Sequence, residues 1–307
     1  MILCCGEALI DFLPRQTASG ATAYQPFCGG SVYNTAIALG RLGQPVGLFT
    51  GLSDDFFGDM LREGLAASKV RLTYTKSWDR SSTLAFVKLT DGHARYSFFD
   101  DNSAGRMLTR RDLPRLDARV QALHFGSISL IPEPGGSTLE ALMKREAGKR
   151  VVSLDPNIRP GQIRDRRSHL ARLKRMIAMA DIVKLSDEDV IWMTGKDDAR
   201  AAARNWLRLG AKLVLVTRGA AGVEAFTASL ALSRPAGKVK VADTVGAGDT
   251  FTAGFLTALR SRRLLAKRAI ADLSEAELGA ALEFAVRAAA ITCSRPGADP
   301  PWARELA

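Results

Sequence analysis

The sequence predicts an α/β protein: a doubly wound, mainly parallel sheet carrying a small antiparallel β-sheet lid. Three observations lead there. From about residue 120 onward, short β-branched or apolar runs alternate with stretches whose apolar residues recur at every third and fourth position, as strands and crossover helices do. Each apolar run ends in polar residues, which suits strands whose carboxyl ends line a ligand crevice. Residues 70–100 instead alternate apolar and polar side chains about Asp91-Gly92, the turn signal of an antiparallel hairpin.

Taken in order, MILCCGEALIDFLP reads as one buried strand over residues 1–13. It lacks a basic start, and Gly6, Glu7 and Asp11 interrupt it, so it does not read as a signal peptide. A turn-rich segment follows. In 29-GGSVYNTAIALGRLG-43, Val32, Ala36, Leu39 and Leu42 form a helical stripe that starts after Gly29-Gly30 and stops at Gly43. VRLTYTKSW, TLAFVKL and ARYSFF are too exposed in pattern for a central sheet. With residues 14–28, these segments at 70–100 form the lid, inserted in a single domain over 1–307. ALHFGSISLI, RVVSLDPN, DIVKLS and KLVLVTRG are the core strands, with helices in SHLARLKRMIAMA and DDARAAARNWLRLG between them. Phe251, Phe255, Ala258 and Leu259 mark a late helix, and residues 296–302 read as a loop.

Composition narrows the function. The chain has 307 residues, 47% hydrophobic and 24% charged, enough for a substantial core. A formal charge of +11 suits phosphate or acidic-metabolite ligands as well as nucleic acid. The densest basic group, Arg164, Arg166, Arg167, Arg172, Lys174 and Arg175, falls on one helix and its lead-in and reads as a solvated face. With no helix-turn-helix, RNP-like or zinc module, no nucleic-acid partner is expected. No apolar run has the length of a membrane span, so no membrane partner is expected either. Cysteines at 4, 5, 28 and 293 show neither disulfide nor zinc spacing, which fits a reducing cytoplasm.

Several catalytic signatures are missing. G-x-x-x-x-G-K-[ST] does not occur, and Gly246-Ala247-Gly248 lacks the third glycine of a dinucleotide fingerprint. His93, His124 and His169 lack metal-ligand spacing, and Ile131 breaks any nucleophile elbow after Ser127 and Ser129. What remains is 243-DTVGAGDTF-251, placed where the late helix begins. Orphan amides leave that end, and Gly246, Ala247 and Gly248 have little or no side chain to keep an oxyanion from them. Asp249 would repel a merely bound phosphate. It makes sense as a base that takes a hydroxyl proton while the amides hold phosphoryl oxygens. A glycine turn with Asp249 as plain N-cap would look the same on this stretch alone.

Three further stretches carry similar ambiguity. 217-TRGAAG-222 after a strand admits a nucleotide phosphate or is an ordinary turn. Asp11 with 29-GGSVYN-34 offers groups for a polyol, or Ser31 and Asn34 simply cap a helix. In 155-DPNIRP-160, Asn157 and Arg159 stand at a strand end, or the two prolines merely shape a loop.

The order of these four motifs decides between the readings. Over essentially the whole chain, from Cys5-Gly6-Glu7 to Gly297-Ala298, the sequence resembles the ribokinase-like sugar kinases, the phosphofructokinase B family. D-T-x-G-A-G-D is matched by Asp243 to Asp249, and the glycine-pair motif by Gly29, Gly30 and Asn34. G-E-A-L-I-D, D-P-N-I-R-P and V-K-L-S-D-E-D look most like the fructokinase branch. The resemblance implies ATP and Mg2+ as co-substrates, a monovalent cation such as K+, and transfer of the γ-phosphoryl group to a primary sugar hydroxyl. It makes Asp249 the base and Gly246, Ala247 and Gly248 the anion hole. Asp11, Gly29, Gly30, Asn34 and Arg159 would hold the sugar. Lys184, Thr217, Gly219 and Gly222 would line the ATP side, with Asp243 and the Val245 carbonyl at the monovalent cation. The family's N-x-x-E motif stands here as Ser186-Asp187-Glu188-Asp189, which leaves Asp189 the acidic role toward Mg2+. A kinase of 2-keto-3-deoxygluconate, ribose or a nucleoside is the nearest rival, with Tyr96, Phe98 and Phe99 available for stacking on a base. A non-catalytic sugar sensor is the more distant one. Exposed lid edges suggest a homodimer formed lid to lid.

Overall fold

The structure is a computed structural model and describes residues 1–90 and 93–306, so the expected Asp91-Gly92 turn lies outside the described residues. The chain opens with β1 (Ile2–Cys5), β2 (Leu9–Gln16), β3 (Thr22–Gly29), α1 (Ser31–Arg41) and β4 (Val46–Phe49). Then come β5 (Gly51–Ser53), α2 (Phe56–Ala67), β6 (Lys76–Trp78), β7 (Leu84–Thr90) and β8 (His93–Phe99). The second half runs β9 (Ala122–Gly126), α3 (Gly135–Glu146), β10 (Val151–Asp155), α4 (Arg166–Ile177), β11 (Ile182–Ser186), α5 (Asp187–Thr194) and α6 (Ala199–Leu209). It closes with β12 (Leu213–Thr217), β13 (Val223–Phe226), β14 (Ala231–Arg234), α7 (Ala247–Ser261), α8 (Lys267–Ala271) and α9 (Glu275–Cys293).

The main sheet has the order β14-β13-β12-β11-β10-β9-β1-β4, parallel from β12 to β4, with β13 and β14 added antiparallel at one edge. Both faces are covered, as buried strands such as LVLV require. Residues such as Ile2, Cys4, Val151, Ile182 and Leu213 pack against α1, α7 and α9. Their alternates, such as Leu3, Leu123, Val152, Val183 and Val214, pack against α3, α4 and α6. Strand order reverses beside β1, which has β4 on one side and β9 on the other; ligand crevices form at such a reversal.

Two expectations are corrected here. The single strand over residues 1–13 is two strands in different sheets, broken at Gly6–Ala8. A Cβ at Gly6 would stand 2.6 Å from Val32 Cγ2 and 2.7 Å from Ser129 Oγ, so the chain turns out where α1 and the loop after β9 press on it. Asp11 therefore belongs to the lid, not to the end of a central strand. The lid itself has the order β3-β2-β7-β8 and starts at Leu9, not at residue 14. Its outer pairings are antiparallel and its central β2/β7 pairing is parallel. Residues 70–83 lie outside it, because Lys76–Trp78 pair in parallel with Gly51–Ser53 instead. The basic group on α4 is partly tied up in ion pairs: Arg172 meets Glu133 and Glu140, and Arg175 meets Glu140.

Candidate active site

Asp249 lies where two helix N-termini meet. Its Oδ1 accepts from Ser31 Oγ at 2.6 Å and its Oδ2 from Asn34 Nδ2 at 3.0 Å. Ser31 and Asn34 open α1; Asp249 is in the first turn of α7. These two helices share an unusual feature. Both have glycine N-caps, Gly30 at φ 102° and Gly246 at φ 75°, and neither has a side-chain cap. By contrast α2, α4, α5, α6 and α9 are each capped by an Asp or Ser side chain. Uncapped amides at a helix start favour an anion, here the Asp249 carboxylate. Burial raises the Asp249 carboxyl to about 6, against the hydrogen bonds from Ser31 and Asn34 and the Lys184 charge, which lower it.

The glycines of the motif have neighbours that sequence could not reveal. A Cβ at Gly246 would meet Ala298 Cβ at 2.7 Å, and one at Gly248 would meet Lys184 Nζ at 2.9 Å. The space beside Gly248, expected to admit an oxyanion, thus holds the ammonium of Lys184. That ammonium is buried and donates to Asp155 Oδ2 at 3.0 Å. Burial pushes it down, but Asp155, Asp189 and Asp249 together hold it above the ordinary lysine value. Lys184, expected on the ATP side, stands against Gly248, one of the residues expected to form the anion hole.

On the lid, the Asp11 carboxylate lies over Gly29, where a Cβ would come within 2.2 Å of Oδ2. Only glycine leaves that room. Burial raises Asp11 to about 6, with the Arg159 charge acting the other way. Arg159 Nη1 donates to Asn157 Oδ1 at 2.7 Å, and Asn157 itself has φ 39°. The tight loop between the two prolines thus holds Arg159 near enough for its charge to act on Asp11. Gly30 approaches Glu7, whose carboxylate accepts from the amides of Val32 and Ser129 across the β1/β9 reversal. Tyr96 and Phe98 lie on the Asp11 face of the lid, while Phe99 belongs to the other face with Phe86.

Other expected residues stand apart. Thr217 Oγ1 donates to the Leu185 carbonyl, and Gly219 (φ 50°) and Gly222 (φ 100°) shape the turn from β12 to β13. Asp189 closes a capping box, accepting from the Ser186 and Ile158 amides with its two oxygens. Among the described residues, no cluster of three or more His, Cys, Asp or Glu could hold a metal. Asp243 Oδ1 accepts from Val245 N at 3.0 Å and Oδ2 from Gly297 N at 2.9 Å, so it pins the loop before α7 to the loop after α9. Ser31 and Asp155 were missed as site residues. Ser31 gave only the signal of a helix cap, and Asp155 only that of a polar strand end.

Comparison with known proteins identifies the family. Residues 1–304 match the family described as pfkB family carbohydrate kinase. The chain is 55% identical over 278 residues to a fructokinase of Rhizobium leguminosarum bv. trifolii, covering 91% of this chain and 85% of the relative. It superposes on fructokinase with bound ATP from Xylella fastidiosa with a TM-score of 0.90 at 29% identity, over 99% of this chain and 96% of that one. A double mutant of the Vibrio cholerae O395 fructokinase, with fructose, ADP and potassium ion bound, gives 0.84 at 25% identity, over 97% and 93%. The chain belongs to the pfkB family of carbohydrate kinases.

Proposed function

We propose that this kinase transfers the γ-phosphoryl group of ATP to the primary hydroxyl of D-fructose, giving fructose 6-phosphate. One observation carries the chemistry: a buried carboxylate, Asp249, at the uncapped N-terminus of α7. Asp249 takes the hydroxyl proton, and the oxygen attacks phosphorus as the bond to ADP breaks. The free amides of Gly248 and Asp249, with Gly246 and Ala247 shaping the turn, hold the charge on the phosphoryl oxygens. Asp11, Gly29, Gly30, Asn34 and Arg159 orient the sugar, Lys184 faces the transferring phosphoryl group from beside Gly248, and Thr217, Gly219 and Gly222 face the rest of the nucleotide.

For Mg2+, the fit is to a metal carried by ATP. Asp189 has both oxygens engaged by amides and would reach such an ion through water; when bound, the ion would neutralise phosphate charge. For K+, the hard oxygens of Asp243 and the Val245 carbonyl suit a monovalent ion beside the anion hole, and potassium is bound in the Vibrio fructokinase. The fructose reading rests on the Rhizobium relative's named activity. The face of the lid away from Asp11 presents Phe99 at 60% and Tyr24 at 42% exposure, beside Phe56 at 68%, which supports a lid-to-lid homodimer. Free cysteines support a cytoplasmic setting, and no helix among the described residues is long and apolar enough to cross a membrane.

The test is Asp249→Asn assayed for ADP release across fructose, ribose, 2-keto-3-deoxygluconate and nucleosides. Wild type should favour fructose, and the variant should lose on the order of 10³-fold or more in kcat while still binding ATP. Undiminished turnover would remove the base assignment, and preference for another acceptor would remove the fructose assignment.

A further inference from the structure

Asp155 ends β10 and is 1% exposed; Lys184, on the neighbouring strand β11, is 5% exposed. They form a buried ion pair at 3.0 Å. Asp155 Oδ1 is buried with no hydrogen-bond partner, so the pair is left partly unsatisfied. Such a pair is a poor way to stabilise a core, since apolar residues of the same volume do as well or better. Lys184 is also placed at the unfavourable end of a dipole. Its ammonium stands against Gly248 in the first turn of α7, whose free amides already make that end positive. The second feature is relieved when an anionic phosphoryl group reaches the ammonium and the amides together.

The surrounding groups show what Asp155 prevents. Lys184 lies in the fields of Asp155, Asp189 and Asp249. Asp189 is occupied by the Ile158 and Ser186 amides. Asp249 is held only by the neutral donors Ser31 and Asn34 from α1, with Asp155 on β10 and Lys184 on β11 acting on it through their charge. His124 on β9 is fully buried, and burial together with the Lys184 charge lowers it to about 3, so it supplies no countercharge. Were Asp155 neutral, Asp189 and Asp249 would be the attractions left for the ammonium, and of the two only Asp249 has no backbone amide on its oxygens.

We propose that Asp155 is a positioning residue for phosphoryl transfer: it anchors the Lys184 ammonium beneath Gly248, facing the incoming phosphoryl group, and keeps it from collapsing onto the base. The proposal rests on Asp249 being that base. Asp155→Asn keeps shape and a hydrogen-bond acceptor while removing the charge. It should lower kcat by ~10-fold or more, leave KM for fructose within about threefold, and move the acid limb of kcat/KM to lower pH. Lys184→Met should move that limb to higher pH. In the double variant, Asp155→Asn should cost no further kcat beyond Lys184→Met, because Asp155 acts through Lys184.

An unmoved acid limb in Asp155→Asn, or losses that multiply in the double variant, would overturn the proposal. If Asp155→Asn does not fold, Lys184→Met decides alone, and a limb unmoved or lowered would be fatal. Asp249→Asn separates the two assignments. An active Asp249→Asn removes the base itself, whereas an inactive one beside an unmoved Asp155→Asn limb removes only the anchoring.

Discussion

A buried carboxylate serves as a base near neutral pH only if desolvation outweighs the hydrogen bonds that favour its charge. At Asp249 burial is the largest influence, Ser31 and Asn34 oppose it, and the balance falls at about 6. A base acts in its deprotonated form, so with Asp249 as the proposed base kcat/KM should rise with pH through about 6 and then level off. Removing a donor shifts the balance further. Ser31→Ala should move the acid limb upward, since the lost bond favoured the charged form, and should lower kcat by roughly 10-fold; pH-rate profiles of both proteins check it. At this scale the motif made Asp249 and Asn34 legible, because small residues before an acid at a helix start have few physical purposes. Ser31 was not legible as a partner of Asp249, since a serine that caps its own helix and one that reaches across 218 positions look alike in sequence. Lys184 was legible as an ATP-side residue through the resemblance and Asp155 only as a polar strand end; their pairing was not, because it depends on which strands become neighbours.

Element by element, the helices divide by their caps. Those capped by Asp or Ser side chains close their own amides, while α1 and α7 begin at glycines, and α1 gives its Val32 amide to Glu7. Glycine also sets the turn between β12 and β13. Gly222 has φ 100°, and a Cβ there would stand 2.1 Å from the Arg234 carbonyl oxygen, a backbone atom that cannot swing away. Gly222→Ala should therefore cost on the order of 1–3 kcal/mol of stability and raise KM for ATP more than KM for fructose, read by thermal melting and steady-state kinetics. The β9 to β12 strands were legible because a parallel core demands unbroken apolar runs with periodic helices between them. The lid boundary was not. LTYTKSW alternates like a lid strand, yet Lys76–Trp78 find their partner in Gly51–Ser53, a non-local choice that alternation does not encode. The break at Gly6–Ala8 was hidden for the same reason, since it is set by contacts with Val32 and Ser129.

For the whole molecule, the sheet brings residues from both halves of the chain to one crevice, and the lid closes over it with two unlike faces. Alternation along β2, β7 and β8 puts Asp11, Tyr96 and Phe98 on one face and Phe12, Phe86 and Phe99 on the other. The second face is a continuous aromatic surface: Phe12 stacks on Phe86 at 4.5 Å, and Tyr24 and Phe99 meet Phe86 edge-on at 5.4 and 5.6 Å. Nearer the core it is covered by α2 through Phe57, but Tyr24, Phe56 and Phe99 remain open. An isologous dimer would cover these rings with the same rings of a second copy and would bury a lid edge as well. Light scattering should then give the mass of two chains, and Phe99→Glu should reduce it to one, because a carboxylate facing its own copy across a two-fold interface is both desolvated and repelled. The side chain of Phe99 points away from Asp11, so dissociation should leave the fructose site's residues intact. Any loss of kcat/KM in the monomeric variant would then report how far the second copy steadies the lid, and an unchanged mass for Phe99→Glu would show that this face is not the interface.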